Sequence, residues 1–116
     1  MRNDDAIRLR HMFEAAQEAT SYAEGCIRAD LTRDRMRARA IVRCIEIVGE
    51  AAAQLSEEAR GGIPDVPWPA VISMRNRLIH AYFDVDLDRV WDTLKSDLPN
   101  LMNNLRPHLA PPVDPD

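Results

Sequence analysis

Apolar residues recur along this chain with the period of helices rather than strands. From Asn3 onward they return at steps of three and four, as on one face of an amphipathic helix. Asn3, Asp4 or Asp5 can cap the start of this first helix. We expect it to run to about Ala29. Its predicted inner face comprises Leu9, Met12, Phe13, Ala16, Ala19, Ala23, Cys26 and Ile27.

A second helix is predicted after a polar interruption at residues 30–34, where Thr32 and Asp34 can serve as caps. Gly49 lies in the middle of this helix, where glycine costs about 1 kcal/mol relative to alanine. We therefore expect another helix to approach the backbone closely at Gly49. The predicted inner face comprises Met36, Ala40, Ile41, Cys44, Ile45, Val48, Ala52 and Leu55.

Residues 60–69, with two glycines and three prolines, end the second helix and predict the main internal loop. Pro69 suits the first position of a third helix, and Trp68 precedes it as an apolar anchor. Apolar residues then predict that the third helix runs to about Tyr82. They are Val71, Ile72, Met74, Leu78 and Ile79.

Asp86 can cap a fourth helix, and Pro99 indicates either a kink or a fresh start at Asp97. Residues 110–116 have little to bury, so we expect a disordered tail after a single domain at 1–109. The predicted fold is all-α, an antiparallel bundle of four to five helices. The apolar positions of this last part are Leu87, Val90, Trp91, Leu94, Leu98, Leu101, Met102 and Leu105.

Composition narrows the classes of function. The chain has 116 residues, no run of about 18 apolar residues and no signal-peptide pattern at its start, so we expect a soluble, cytoplasmic protein without a membrane partner. Cys26 and Cys44 are too few for a disulfide framework or a zinc site, and we interpret them as small buried hydrophobes. Because the net charge is -4, binding of nucleic acid requires a concentrated basic site.

One local concentration of positive charge occurs at the start of the predicted second helix. Arg35, Arg39 and Arg43 are four residues apart and share one face, which we call the arginine stripe. Arg33 and Arg37 lie beside it. Like charges at this spacing repel unless an anion faces them. A solvated helix face, a site for RNA phosphate and a site for an acidic protein surface all fit this pattern.

Residues 74–82, Met-Arg-Asn-Arg-Leu-Ile-His-Ala-Tyr, are the candidate chemical centre. They combine a permanent cation, an imidazole, a carboxamide and a phenol, and the chain has no Gly-rich phosphate loop, HExxH or CxxC motif to compete. On one ideal helix Arg75 and His80 would point about 140° apart, whereas Asn76 and His80 would nearly superpose. Two such helices paired across a two-fold axis would form a cleft, so we predict a homodimer with a composite site.

These residue types suit RNA cleavage without a metal or another cofactor. A neutral imidazole can take the proton of a ribose 2′-hydroxyl, or an imidazolium can protonate the leaving 5′-oxygen. The guanidinium can stabilise charge on the phosphorus oxygens. DNA lacks the 2′-hydroxyl, so this route predicts no cleavage of DNA.

The octet Arg-Asn-Arg-Leu-Ile-His-Ala-Tyr at 75–82 closely resembles the signature of HepT toxins, which belong to the HEPN superfamily of helical ribonucleases. Its pattern is arginine, four residues, histidine, one residue and tyrosine. Three other stretches, at 40–52, 66–68 and 90–99, also resemble that family. The resemblance covers nearly the whole chain apart from the extreme termini.

The resemblance implies a homodimeric HEPN fold and a metal-independent endoribonuclease, the toxin of a type VII toxin-antitoxin pair. The implied antitoxin is a minimal nucleotidyltransferase of the MntA type. By position, Arg75 and His80 would be catalytic and Asn76 would be the polar residue after the arginine. Tyr82 would carry the hydroxyl that receives AMP, whose charge and bulk would block RNA. By residue type alone, Tyr82 would instead be a packing aromatic.

Two other classes of function fit the residues. The chain can be a non-catalytic partner subunit of a nucleotidyltransferase, with the arginine stripe or the motif as docking surface. It can also be a purely structural helical bundle. Cleavage of RNA in the presence of a chelator distinguishes the first class from both.

Overall fold

The computed structural model describes residues 1–81 and 84–109, with the backbone alone for His80 and Ala81. The described chain is helical, as predicted, apart from one small antiparallel pair of strands. In order, its elements are α1 (Asn3–Tyr22), α2 (Arg28–Arg33), α3 (Arg35–Gln54), α4 (Glu57–Gly61), α5 (Trp68–Ile72), α6 (Met74–Leu78), β1 (Ile79–Ala81), β2 (Asp84–Val85), α7 (Leu87–Asp92), a π-helical turn (Thr93–Asp97), α8 (Leu98–Leu105) and a 3-10 turn (Arg106–His108).

The core forms where α1 and α3 pack along each other, with α8 against α1. Leu9 and Met12 of α1 and Ile41, Ile45 and Val48 of α3 are fully buried in one apolar cluster. At one end, the Arg8 guanidinium donates to the carbonyl oxygen of Gln54 at 3.1 Å, so the start of α1 lies beside the end of α3. The two long helices are therefore antiparallel.

The first helix is shorter than the periodicity predicts, and its predicted caps are wrong. α1 ends at Tyr22, and the following turn contains Gly25 at φ +75°, a left-handed conformation that glycine adopts readily. The start of α1 has no side-chain cap. Asp5 is instead only 3% exposed, and its carboxylate accepts hydrogen bonds from the Ser56 backbone N–H at 3.0 Å and hydroxyl at 2.8 Å. These bonds lower the pKa of Asp5 and tie α1 to α4.

Asp34 caps α3 as predicted, accepting from the Arg37 backbone N–H at 3.0 Å, whereas Thr32 lies inside α2. Met36 is a wrong prediction, since it is 82% exposed. At 100° per residue Met36 lies 180° from Ile45, on the far side of the helix. The rest of the predicted inner face is buried apart from Ala40, which is half-buried.

The loop after α3 is more structured than predicted. Ser56 caps the short helix α4 by accepting from the Ala59 backbone N–H at 3.1 Å. The indole N–H of buried Trp68 then donates to the carbonyl oxygens of Arg60 at 2.9 Å and Ile63 at 3.1 Å. Trp68 therefore closes the loop, which confirms its structural role. α5 begins at Trp68, one residue before Pro69.

The predicted third helix is wrong in its continuity and in its end. It breaks at Ser73, whose hydroxyl donates to the carbonyl oxygen of Pro69 at 2.8 Å and whose φ and ψ of -93° and 7° leave the helical range. It ends at Leu78, whose carbonyl oxygen accepts from the Asp86 backbone N–H at 2.7 Å. Ile79 is extended and pairs with Val85, so His80 lies in a strand. Tyr82, the predicted end, lies outside the described residues.

Asp86 caps α7 as predicted, accepting from the Arg89 backbone N–H at 3.0 Å. α8 begins directly after Asp97 with Pro99 in its first turn, which is one of the two predicted alternatives, although a π-helical turn keeps the backbone helical from α7 into α8. No helix in the described residues is long and apolar enough to cross a bilayer. The predicted tail at 110–116 lies outside the described residues, so the limits of the predicted domain stay a prediction.

Gly49 is the packing contact that the sequence predicts. A Cβ atom there would lie 3.2 Å from the carbonyl oxygen of Ile72 and 3.3 Å from that of Val71. Both neighbours are backbone atoms, which cannot rotate away as a side chain can. The missing side chain therefore sets how closely α5 approaches α3.

We predict that Gly49→Val lowers the free energy of unfolding by about 2 kcal/mol, since an overpacked contact must push α5 away from α3. Gly61→Val is the matched control, because a Cβ atom at Gly61 meets nothing within 4 Å. Its effect should stay within about 0.5 kcal/mol. Urea unfolding of both variants measures the difference. Equal effects at the two positions would show that the close approach is not what requires glycine.

Candidate functional site

A cleft of about 560 Å³ lies where α2, α3 and α7 meet α6 and the strand pair. Both apolar and charged side chains line its walls. The apolar lining residues are Leu31, Ala38, Val42, Ile79, Val85 and Leu87, and the polar ones are Thr32, Arg35, Arg39, Glu46, Arg75 and Asp84. We refer to this region as the cleft.

Arg75 of α6 lies on the wall of the cleft with its side chain 53% exposed. Its Nε atom lies 3.3 Å from Oε2 of Glu46, which projects from α3 and is only 22% exposed. The same Oε2 atom lies 3.5 Å from Nη1 of Arg43. Glu46 thus pairs with two guanidinium groups, and it approaches that of Arg75 at Nε.

Glu46 is a site residue that was not predicted from the sequence. The signal was present, because Arg35, Arg39, Val42 and Glu46 follow one another at steps of four, three and four residues. All four line the cleft. Steps of three and four residues, which identify a buried helix face, therefore also identify the charged face of α3 that lies opposite α6.

The structure describes the other motif residues to different extents. Asn76 is exposed, and its backbone N–H donates to the carbonyl oxygen of Ser73 at 2.9 Å. The backbone of His80 lies in β1, which begins directly after α6, and Ile79 before it lines the cleft. Tyr82 lies outside the described residues. The strand brings the His80 backbone next to the cleft that holds Arg75.

This geometry overturns the angular argument made from an ideal helix. Arg75 and His80 do not share one helix, because the chain becomes extended at Ile79. The 140° separation therefore does not apply to them. The predicted composite site across a two-fold axis loses that support and rests on the family resemblance alone.

The arginine stripe divides into two parts in the structure. Arg35 and Arg39 line the cleft, whereas Arg43 lies 3.5 Å from Glu46 and 3.3 Å from Glu50. The two arginines beside the stripe are also paired with carboxylates. Arg33 lies 3.6 Å from Asp30, and Arg37 lies 3.4 Å from Asp34.

The cysteines behave largely as the sequence analysis expects. Cys44 is buried, and burial raises the pKa of its thiol. Cys26 is only half-buried, and its sulfur accepts a hydrogen bond from Arg37. Both are free thiols. Across residues 1–79 and 84–109, no three His, Cys, Asp or Glu side chains gather into a group that could hold a metal ion.

Comparison with known proteins gives relatives whose names include a ribonuclease activity. A candidate RNase of Caldanaerobacter subterraneus subsp. tengcongensis is 33% identical over 84% of this chain and 88% of its own length. A probable ribonuclease HepT of Thermococcus cleftensis is 33% identical over 80% and 84% of the two chains. A longer Methanocaldococcus jannaschii protein, named gamma-glutamylcyclotransferase and candidate RNase, is 34% identical over 90% of this chain and 47% of its length.

No solved structure matches the chain. A family model described as "Ribonuclease HepT-like" matches residues 12–107, a range that contains α3, the cleft and the whole motif at 74–82. The match thus covers far more than half of the chain. With the relatives above, it establishes that this chain is a member of the HepT-like ribonuclease family.

Proposed function

We propose that this protein is a metal-independent endoribonuclease with Arg75 and His80 as its catalytic residues. Membership of a ribonuclease family supports the class of reaction. The observation that carries the proposal is the position of Arg75 on the wall of a charged cleft. Arg75 belongs to α6, the helix that directly precedes the strand containing His80. The motif order of arginine, four residues and histidine is intact at these positions.

The proposed reaction is attack of a ribose 2′-oxygen on the adjacent phosphorus. The new O–P bond forms as the bond to the 5′-oxygen breaks, which leaves a 2′,3′-cyclic phosphate and a 5′-hydroxyl. His80 either takes the 2′-hydroxyl proton as a neutral imidazole or gives a proton to the 5′-oxygen as an imidazolium. The terminal nitrogens of Arg75 stabilise the charge on the phosphorus oxygens. Asn76, in the middle of α6, is the proposed supporting residue.

We predict that the purified protein cleaves RNA in EDTA and leaves DNA of the same sequence intact. His80→Ala should reduce kcat/KM by about 10²-fold or more, as expected when a general acid or base is lost. Arg75→Ala should reduce it by about 10²-fold, because one donor to the developing charge is removed. End-group analysis of the products for a cyclic phosphate tests the reaction itself.

His11→Ala is the matched control, since His11 is an exposed histidine on α1, away from the residues that line the cleft. It should leave cleavage unchanged. Full activity of the His80→Ala variant, with its helical content intact by circular dichroism, would contradict the proposed catalytic role. Absence of cleavage by the unmodified wild type, together with tight binding to a nucleotidyltransferase, would instead favour a non-catalytic partner subunit.

We also propose that Glu46 positions Arg75 for this reaction. The Glu46 carboxylate approaches Nε, which fixes the plane of the guanidinium and leaves its terminal nitrogens for phosphate. Glu46 is mostly buried, so solvent screens this contact less than it screens the pairs on the surface. A residue that acts through Arg75 in this way affects the chemical step more than substrate binding.

Glu46→Gln should therefore lower kcat about tenfold with little change in KM, because the neutral amide holds Arg75 less firmly. Glu50→Gln is the matched control, since Glu50 pairs with Arg43 and not with Arg75. It removes the same charge from the next turn of α3 and should leave kcat unchanged. Equal losses of kcat in the two variants would point to a general effect of charge and exclude positioning through Arg75.

The homodimer with a composite site is a further part of the proposal. Mixing equal amounts of the Arg75→Ala and His80→Ala variants provides its test. If a site combines Arg75 of one copy with His80 of the other, exchange of subunits restores about a quarter of the wild-type activity, since half of the dimers then hold one intact site. Mixing restores nothing when both residues belong to one copy.

We further propose that the protein is the toxin of a type VII toxin-antitoxin pair, controlled by an MntA-type nucleotidyltransferase that transfers AMP from ATP to the Tyr82 oxygen and releases pyrophosphate. Support comes from the tyrosine two residues after His80 in the motif. Added phosphate on the phenol would place negative charge near the proposed catalytic residues, where it would repel RNA. The neighbouring reading frame is the first place to look for the nucleotidyltransferase.

Expression with that nucleotidyltransferase should raise the intact mass of this protein by whole AMP units and abolish cleavage of RNA. Tyr82→Phe should show neither change, since the phenol oxygen is the proposed acceptor. Tyr22→Phe is the control, because Tyr22 lies on α1 with its hydroxyl bonded to Glu18 at 2.7 Å, and it should be modified as the wild type is. Modification that persists in Tyr82→Phe would remove this residue from the proposal.

A further inference from the structure

We propose that Arg35 and Arg39 bind the phosphates of RNA on either side of the bond that is cleaved. This inference rests on the proposed function and identifies how the substrate is held. The established family membership does not assign a role to either residue. The structure supplies the reason to single them out from the other arginines of α2 and α3.

Arg35 and Arg39 share the cleft with Arg75. Arg35 and Arg39 project from α3 into the same cleft that Arg75 enters from α6. They lie one helical turn apart, about 6 Å along the axis of α3. This spacing is comparable with the separation of neighbouring phosphates along a single strand. A strand whose reacting phosphate meets Arg75 therefore brings its neighbouring phosphates toward α3.

Arg35 and Arg39 differ from the neighbouring arginines in having no carboxylate partner among the described residues. Among the described residues, Arg33, Arg37 and Arg43 each lie within 4 Å of a carboxylate, whereas no such carboxylate or hydrogen-bond acceptor faces Arg35 or Arg39. The chain has 19 acidic residues against 15 basic ones, so carboxylates are not scarce. Two like charges one turn apart repel each other mildly. An external anion bound between them would relieve that repulsion.

The lining of the cleft carries an excess of positive charge. Among the described residues, three arginines line it, at 35, 39 and 75, with two carboxylates, Glu46 and Asp84. Glu46 is already held by Arg75 and Arg43. The lining therefore carries one net positive charge in a protein whose net charge is -4. This is the concentrated basic site that an acidic nucleic-acid-binding protein needs.

Two other occupants are an acidic protein surface and a second copy of this chain. The observations favour RNA, because the charged groups face a concave cleft and because Arg75 of the ribonuclease motif shares it. The guanidinium fork matches the paired oxygens of a phosphate. Among the described residues, the lining includes no aromatic side chain on which a base could stack. The cleft should therefore recognise the backbone with little preference for base.

The experiment compares Arg35→Gln, Arg39→Gln and the double variant with Arg33→Gln. The control removes the same charge from a residue of α2 that does not line the cleft. Each cleft variant should raise KM for RNA about tenfold. We expect little change in kcat, because these contacts are alike in the ground state and the transition state. The slope of log KM against log salt should fall by about 0.7 for each arginine removed.

A binding measurement separates this inference from the proposed function. A short 2′-O-methyl RNA oligonucleotide cannot be cleaved by internal attack, so its affinity is independent of catalysis. Weaker binding in the cleft variants than in Arg33→Gln supports the inference even when the wild type cleaves no RNA, in which case the proposed function alone fails.

Equal oligonucleotide affinity and salt dependence in the cleft variants and the Arg33→Gln control overturn the inference. It is also overturned if RNA binding is unchanged while the variants lose binding to the nucleotidyltransferase, which would assign the two arginines to a protein interface. A lower sedimentation mass with unchanged RNA binding would assign them to a contact between copies of the chain. All three residues are exposed, so circular dichroism should show the helical content of the wild type.

Discussion

The close contact between α3 and α5 at Gly49 determines the geometry of the candidate site. A Cβ atom at Gly49 would lie 3.2 and 3.3 Å from the carbonyl oxygens of Ile72 and Val71, which is tighter than an ordinary contact, so a side chain there would push the two backbones apart. Glu46 lies about one turn before Gly49 on α3, and Arg75 follows Ile72 by three residues. Because the two backbones are locked together there, the 3.3 Å approach of Arg75 to Glu46 depends on packing as much as on charge.

The changes of backbone conformation at Ser73 and Ile79 determine how the motif residues are placed relative to one another. A continuous helix would have pointed Arg75 and His80 in different directions. The bond from the Asp86 N–H to the Leu78 carbonyl oxygen ends α6, and the pairing of Ile79 with Val85 makes the next residues extended. The backbone of His80 therefore lies in β1, next to the lining residue Ile79. Two changes of backbone conformation within six residues thus determine the neighbourhood of Arg75.

The distribution of ion pairs reconciles an acidic chain with an anionic substrate. Apart from Arg35 and Arg39, the four other arginines of α2 and α3 pair with carboxylates: Arg28 with Asp88 at 2.6 Å, Arg33 with Asp30, Arg37 with Asp34, and Arg43 with Glu46 and Glu50. Such exposed pairs contribute little to stability. They do neutralise the field of these four arginines. On α2 and α3, the positive charge without a carboxylate partner among the described residues is therefore that of Arg35 and Arg39, which line the cleft, although the protein as a whole is negative.

The sequence alone determined the helical class, most of the inner faces of the two long helices, the caps Asp34 and Asp86 and the packing role of Gly49. These features depend on residues close in sequence, through helical periodicity and local hydrogen bonds. Only the tertiary structure decided that the motif helix breaks at Ser73, that Asp5 bonds to Ser56 and that Glu46 meets Arg75. It also divided the arginine stripe into paired and unpaired members. Each of these outcomes depends on groups brought together from distant parts of the chain, which a local pattern does not encode.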